Sequence, residues 1–158
     1  MKVILQRCID ASVVVDKNVV GSIDNGLMLL VGFTEGDSIK EIDYMVDKII
    51  NLRVFDDVNG VMNKSLVDVG GSILSISQFT LYADTRKGRR PSYIKALGGE
   101  EAIKLYQMFN DRLRVELSKV SNQSRVEEGV FGADMKVTFT NDGPVTIILE
   151  KEGENNGK

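Results

Sequence analysis

The sequence predicts an α+β fold, a mainly antiparallel, curved, barrel-like sheet with two main amphipathic helices packed on it. Three observations carry this. The opening of the chain, Val3 to Phe33, is built of β-branched and apolar runs broken by turn residues. Two later stretches, beginning near Ile39 and Glu100, repeat their apolar residues at helical spacing. The stretch from Lys136 to Glu150 returns to apolar/polar alternation. The 158 residues read as one domain over 1–150, followed by a polar tail over 151–158 that is expected to fray.

Val3 to Asp16 alternates as a strand, and Ala11-Ser12-Val13-Val14-Val15 is strongly β-favouring. Asp16-Lys17-Asn18 is a turn signal, and Val19 to Ile23 returns as a hairpin partner. Asp24-Asn25-Gly26 reads as a second turn, because Asn-Gly readily takes positive φ. Leu27 to Phe33 then forms a third, central strand. Ser38-Ile39-Lys40-Glu41 is a capping box that starts a helix with Ile39, Ile42, Met45, Val46, Ile49 and Ile50 on one stripe. Arg53 to Phe55 is a short strand before the Asn59-Gly60 turn. Gly70-Gly71 sets off a buried strand beginning at Ile73. The second helix covers Glu100 to Val120, and Ser124 to Glu128 is a short strand. Lys136 to Thr140 and Val145 to Glu150 are the final two strands, with Asn141 to Pro144 turning between them.

Hydrophobic residues make up 42% and charged residues 27%, the balance of an ordinary globular protein. No apolar run approaches the length of a membrane span, and Met1-Lys2-Val3-Ile4 lacks the shape of a signal peptide, so a cytoplasmic location is expected. A net charge of −3 argues against a chain coated for general nucleic-acid or DNA binding, but permits a local basic patch. Histidine is absent, which removes imidazole-based nucleophile pairs and the commonest metal ligand. Cys8 stands alone in an alternating segment and reads as a buried structural thiol. No ligand cluster of recognised spacing is present, so neither metal nor cofactor is expected. Chemistry must run on hydroxyls, carboxylates, main-chain dipoles or groups supplied by the substrate.

Ser77-Gln78-Phe79-Thr80-Leu81 ends the buried run from Ile73 with polar groups where packing favours aliphatic ones. Either its hydroxyls satisfy nearby backbone, or it is a pocket wall with N–H groups aimed at a substrate oxygen. Arg86, Lys87, Arg89 and Arg90 fall within five residues, as a solvated loop or as phosphate contacts. Gly143-Pro144 reads by turn chemistry alone as an ordinary trans turn, since an X-Pro bond is cis in only about one case in twenty. Phe79 and Phe131 suit either core packing or stacking on a base.

Taken together, Ser77-Gln78-Phe79-Thr80-Leu81 and Asn141-Asp142-Gly143-Pro144-Val145-Thr146, in order and at this spacing, resemble D-aminoacyl-tRNA deacylases. Arg90-Pro91-Ser92, Phe131-Gly132-Ala133-Asp134-Met135 and Gln6-Arg7 with Ala11-Ser12-Val13 fit the same family. The likeness runs from Met1 to about Glu150 and leaves out only the polar tail. It implies a homodimer that hydrolyses the ester joining a D-amino acid, or glycine, to the 3′ end of tRNA. It also implies a cis Gly143-Pro144 bond that enters the partner subunit's pocket to exclude L-amino acids. Ser77, Phe131 and Met135 are then substrate-binding residues, and Arg86, Lys87, Arg89 and Arg90 are tRNA contacts.

An aminoacyl ester is already activated, so its hydrolysis needs a positioned water and stabilisation of the oxyanion. The backbone N–H groups of Gln78 and Phe79 are the expected oxyanion hole. Thr80 is a weak nucleophile without a base and is expected to position rather than attack, with the tRNA 2′-hydroxyl assisting. Two rivals remain: a non-catalytic aminoacyl-tRNA-binding module, and a small-ester hydrolase that uses Thr80.

Overall fold

The computed structural model describes residues 1–153. Strands β1 (Lys2–Val15) and β2 (Asn18–Gly32) form a long antiparallel hairpin. Asp16 and Lys17 close it with φ of 49° and 69°, matching the right-handed twist of the strands. The turn expected at Asp24-Asn25-Gly26 is absent, and β2 runs straight through it with Asn25 opposite Ile9 and Gly26 opposite Cys8. Gly26 is there for close approach. It sits at φ 143°, and a Cβ at that position would lie 1.8 Å from the Ser72 carbonyl oxygen.

Helix α1 (Ile39–Asn51) begins at the Ser38/Glu41 capping box, both halves of which are formed, and buries Ile42, Met45, Val46, Ile49 and Ile50 of the expected stripe, while Ile39, in its first turn, stays exposed. A small hairpin follows, β3 (Phe55–Asp56) with β4 (Met62–Lys64), closed around Gly60 at φ 75°. Helix α2 (Leu66–Val69) was not expected from sequence: one turn is too short to show a period, although Ser65 and Asp68 form a second capping box. Then come β5 (Ser72–Ser77), helix α3 (Gly99–Ser118), β6 (Val126–Glu128) and β7 (Lys136–Glu150).

The main sheet has the order β6-β5-β2-β1-β7. Its long strands pair antiparallel, β1 with β2 and with β7. Strand β5 joins β2 and β6 in parallel, because the chain returns through α1 and later through α3. The class is the expected α+β, with a mixed rather than purely antiparallel sheet. Leu5, Leu27, Leu29, Val31 and Ile73 face α1 and α3, where Ile42, Met45, Ile49, Phe109 and Leu113 complete the main core. The alternate residues Cys8, Met28, Leu74 and Ile76 form a second apolar cluster with Ala11, Val13 and Ile23.

The two final strands expected from sequence are one. Gln6 pairs with Thr146 and Cys8 with Asn141, so the extra residues of β7 loop out as a bulge instead of ending the strand. The residues after β7 are also held: Lys151 exchanges hydrogen bonds with both the amino group and the carbonyl of Met1, at 2.9 and 3.0 Å. Tyr82 contacts Glu152. Of the tail expected to fray, Lys151 to Gly153 therefore pack on the fold, and 154–158 lie outside the described residues. No helix among the described residues is long and apolar enough to cross a membrane.

Candidate active site

Strand β5 carries the stretch singled out above. Ile73, Leu74 and Ile76 are buried, and Ser77 is the last residue in register, opposite Val31. The Gln78 N–H then donates to the Val31 carbonyl at 2.7 Å, extending the parallel ladder by one bond. The chain next tightens into a 3₁₀ turn over Phe79–Tyr82. The first N–H groups of such a turn have no partner within it. Among the described residues, those of Phe79 and Thr80 find no main-chain acceptor elsewhere either. The Gln78 N–H, expected as an oxyanion donor, is thus taken up by the sheet, whereas those of Phe79 and Thr80 make no main-chain hydrogen bond among the described residues.

Of these two residues, Phe79 stands at a cavity of about 210 Å³. Ser77, Gln78 and Phe79 line one side, and Phe131 and Met135 come from the loop before β7. Five residues expected to form the site are thereby brought together from two distant stretches. Val31, Gly32 and Leu97 are among the residues that complete an otherwise apolar wall. Gly32 lets the turn after β5 close in on β2, since a Cβ there would lie 3.0 Å from the Gln78 carbonyl oxygen. Beneath the floor, the Tyr106 hydroxyl donates to the Ser75 carbonyl at 2.7 Å, and its ring packs on Phe131 with centroids 5.9 Å apart. Burial pushes the Tyr106 hydroxyl above its ordinary pKa, so it stays a donor at neutral pH.

Thr80 does not line this cavity. Its hydroxyl accepts from the Gln78 side-chain amide, and among the described residues no carboxylate or amine bonds to it. It has no base to activate it. Cys8 is fully buried, and desolvation pushes its thiol up to about 11, against a smaller lowering by a hydrogen bond to the Met28 backbone. It is packing, as expected. Among the described residues no group of three or more Cys, Asp or Glu is placed to hold a metal ion.

Gly143 and Pro144 do not line this cavity. They sit exposed in the β7 bulge, joined by a cis peptide bond. The bulge is anchored on both sides. Arg7 Nε donates to the Asp142 carbonyl at 2.7 Å, and the Asn141 side chain accepts from the Val145 N–H at 2.7 Å. Arg7 also donates through Nη1 to the Val54 carbonyl at 2.9 Å, and Asp56 and Asp142 stand near its charge. Sequence reading assigned Arg7 no role. The available signal was its parity: Val3, Leu5 and Arg7 all fall on the inward face of β1, where an arginine needs a reason.

The basic stretch forms an exposed loop closed by paired hydrogen bonds between Asp84 and Ser92, at 2.8 and 2.9 Å. Arg86 is not free. It makes a two-pronged bond to Asp84, at 2.9 and 2.7 Å, and this holds the Asp84 carboxyl well below the usual range. Lys87, Arg89 and Arg90 are exposed, and among the described residues none has an ion-pair partner.

Known proteins place this arrangement. Residues 4–150 match the family of D-Tyr-tRNA(Tyr) deacylases. The chain belongs to that family. D-aminoacyl-tRNA deacylases of Clostridium botulinum (strain Hall) and Clostridium tetani are each 51% identical to it over 152 residues, covering 96% of this chain and 98% of theirs. Among solved structures, the c-Myc DNA unwinding element binding protein superposes with a TM-score of 0.87 at 39% identity, covering 97% of this chain and all of that one. A probable eukaryotic D-amino acid tRNA deacylase superposes at 0.79 over 94% of this chain; at 18% identity that likeness speaks for the fold alone. The deacylase family match spans every strand and helix that builds the cavity.

Proposed function

We propose that this deacylase-family chain hydrolyses the ester between a D-amino acid and the 3′ end of tRNA, releasing both, and that it also clears glycyl-tRNA mischarged on tRNA-Ala. The observation that carries the reading is the unbonded N–H group of Phe79 at a mostly apolar cavity, with that of Thr80 next in the same turn, in a chain without imidazole. Water adds to the ester carbonyl carbon. Negative charge gathers on the carbonyl oxygen facing the Phe79 N–H. The bond to the 3′ oxygen then breaks, and that oxygen departs as a hydroxyl. One oxyanion donor is typically worth on the order of 3 kcal/mol of barrier. With no protein base beside the cavity, the 2′-hydroxyl of the terminal adenosine orders the attacking water and relays its proton. Thr80, held by Gln78, positions the turn.

Selection against L-amino acids works by obstruction. Gripping a D side chain would give only about 1–3 kcal/mol per methylene and would depend on its identity. A main-chain wall formed by the Gly143 and Pro144 carbonyls of a second subunit rejects every L-configured substituent and admits D residues and glycine. Two features support a dimer. Strand β7 is a fifteen-residue edge strand whose inward-facing Val137, Phe139, Ile147 and Leu149 are only half-buried, and Ile148 is 65% exposed. The anchored bulge is also exposed and contributes nothing to the lining of the cavity in the same chain.

The deciding experiment is deacylation of D-Tyr-tRNA and L-Tyr-tRNA in parallel, with sedimentation to give the assembly state. Rapid release from the D substrate alone, by a dimer, is expected. Equal rates on both substrates, or turnover of short esters lacking tRNA, would sink the reading. A substrate ending in 2′-deoxyadenosine tests the assisting hydroxyl and should be cleaved at least a hundredfold more slowly.

A further inference from the structure

Phe79 lines the cavity yet is 53% exposed, and its ring meets that of Tyr93, which is itself 43% exposed. The rings stand edge to face, with centroids 5.1 Å apart and planes at 71°. Exposed aromatic pairs are unfavourable unless something covers them. This pair is not on a loose loop. The paired bonds between Asp84 and Ser92 fix the residue just before Tyr93, and the Tyr93 carbonyl accepts from the Ala96 N–H at 3.0 Å. Leu97, which lines the cavity, donates its N–H to the Phe33 carbonyl at 3.0 Å. The aromatic step is therefore continuous with the cavity rim and rigidly mounted. The loop that the Asp84–Ser92 bridge closes carries Lys87, Arg89 and Arg90, three exposed cations without ion-pair partners among the described residues. Aromatic faces beside a row of unpaired cations are the physical description of a single-stranded nucleic-acid platform.

We propose that Tyr93, backed by the Phe79 ring, stacks the unpaired base that precedes the terminal adenosine, while the 86–90 loop holds the adjoining phosphates. The terminal nucleoside and its amino acid enter the cavity, and the preceding base rests on the step at its mouth. This rests on the tRNA reading above. It adds a residue outside the catalytic cavity that distinguishes polynucleotide substrates from their terminal nucleoside. The site reads stacking, so any base is accepted there.

The test separates the two readings. With D-aminoacyl-tRNA, Tyr93→Ala should raise KM roughly 5- to 100-fold, the range for loss of one stacked base, with kcat nearly unchanged. With a D-aminoacyl ester of adenosine alone, the same variant should match wild type. Tyr93→Phe should restore the tRNA KM. Wild-type protein provides an independent measure: 2-aminopurine placed at the penultimate position of a tRNA acceptor hairpin should be quenched on binding. An unchanged 2-aminopurine signal, or equal losses on tRNA and on the nucleoside ester, would overturn the proposal. So would a change of assembly state in Tyr93→Ala, because it would assign the step to contact between copies of the chain. If wild type fails to cleave D-aminoacyl-tRNA at all, it is the proposed function that falls.

Discussion

Arg7 Nε donates to the Asp142 carbonyl at 2.7 Å, so a guanidinium buried beneath β1 fixes the residue next to Gly143. The same side chain ties Val54, in the segment leading to β3, to that bulge. Arg7→Ala should remove both bonds and leave two carbonyls unpaired, at a cost of about 2–4 kcal/mol. A lowered urea midpoint with an unchanged slope checks this. Arg7→Lys keeps the charge but lacks the planar fork, and it should lose discrimination against L-Tyr-tRNA before it loses stability. Full discrimination in Arg7→Lys would show that the anchor is irrelevant to selectivity.

Gly143 itself has little room to change. At φ 144°, an added Cβ would sit 2.9 Å from the Val145 nitrogen and 3.2 Å from Arg7 Nη2. Gly143→Ala must therefore displace the bulge. L-aminoacyl-tRNA should become a substrate, while the D-substrate rate falls less than tenfold. Parallel assays on the two enantiomers read this directly.

How much of this was legible beforehand depends on whether the deciding contacts were local. The Ser38/Glu41 box lies within one turn, and it announced α1 to the residue. The Asn25-Gly26 pair carried a turn signal with equal force, yet its glycine answers to Ser72, forty-odd positions away across a parallel pairing that local sequence does not reveal. The oxyanion donors follow the same logic. Ser77 to Thr80 could be singled out by polarity, but that Gln78 spends its N–H on Val31 depends on where β2 ends. Likewise the β7 bulge mimics a turn in sequence, and only its pairing with Gln6 and Cys8 shows a continuous strand.

Replacing Phe79 by proline tests the donor assignment, because Phe79 is the first residue of its turn, where a missing N–H costs no internal bond. The preceding Gln78, at φ −147° and ψ 86°, is already outside the α region that a following proline disfavours. Phe79→Pro should lower kcat by about 10²–10³ relative to Phe79→Ala, which loses the ring but keeps the N–H. Equal kcat values in the two variants would remove Phe79 from the oxyanion hole.

The basic loop makes a prediction about salt. Arg86 is committed to Asp84, so three cations remain for phosphate contact. For single-stranded RNA the slope of log K against log salt should then be about −2. Lys87→Ala, Arg89→Ala and Arg90→Ala should each flatten it by about 0.7, while Arg86→Ala should scarcely alter it. A slope near zero in wild type would return the loop to solvent.

Alkaline stability provides a check on the second apolar cluster. The folded Cys8 thiol titrates at about 11 because burial disfavours the thiolate, whereas an exposed thiol titrates near 9. Below pH 9 the thiol is neutral in both states, and its contribution is fully present. Between pH 9 and 11 only the unfolded chain ionises, so the unfolded state gains and stability falls as pH rises. The loss from this one group is about 2 kcal/mol once pH passes 11. Cys8→Ala should start lower, because it opens a small void beside Met28 and Leu74, but its stability should decline less steeply over that window. Identical slopes for wild type and variant in urea titrations from pH 8 to 11 would mean that the thiol is hydrated, and that the cluster facing away from α1 and α3 is not the dry layer its burial implies.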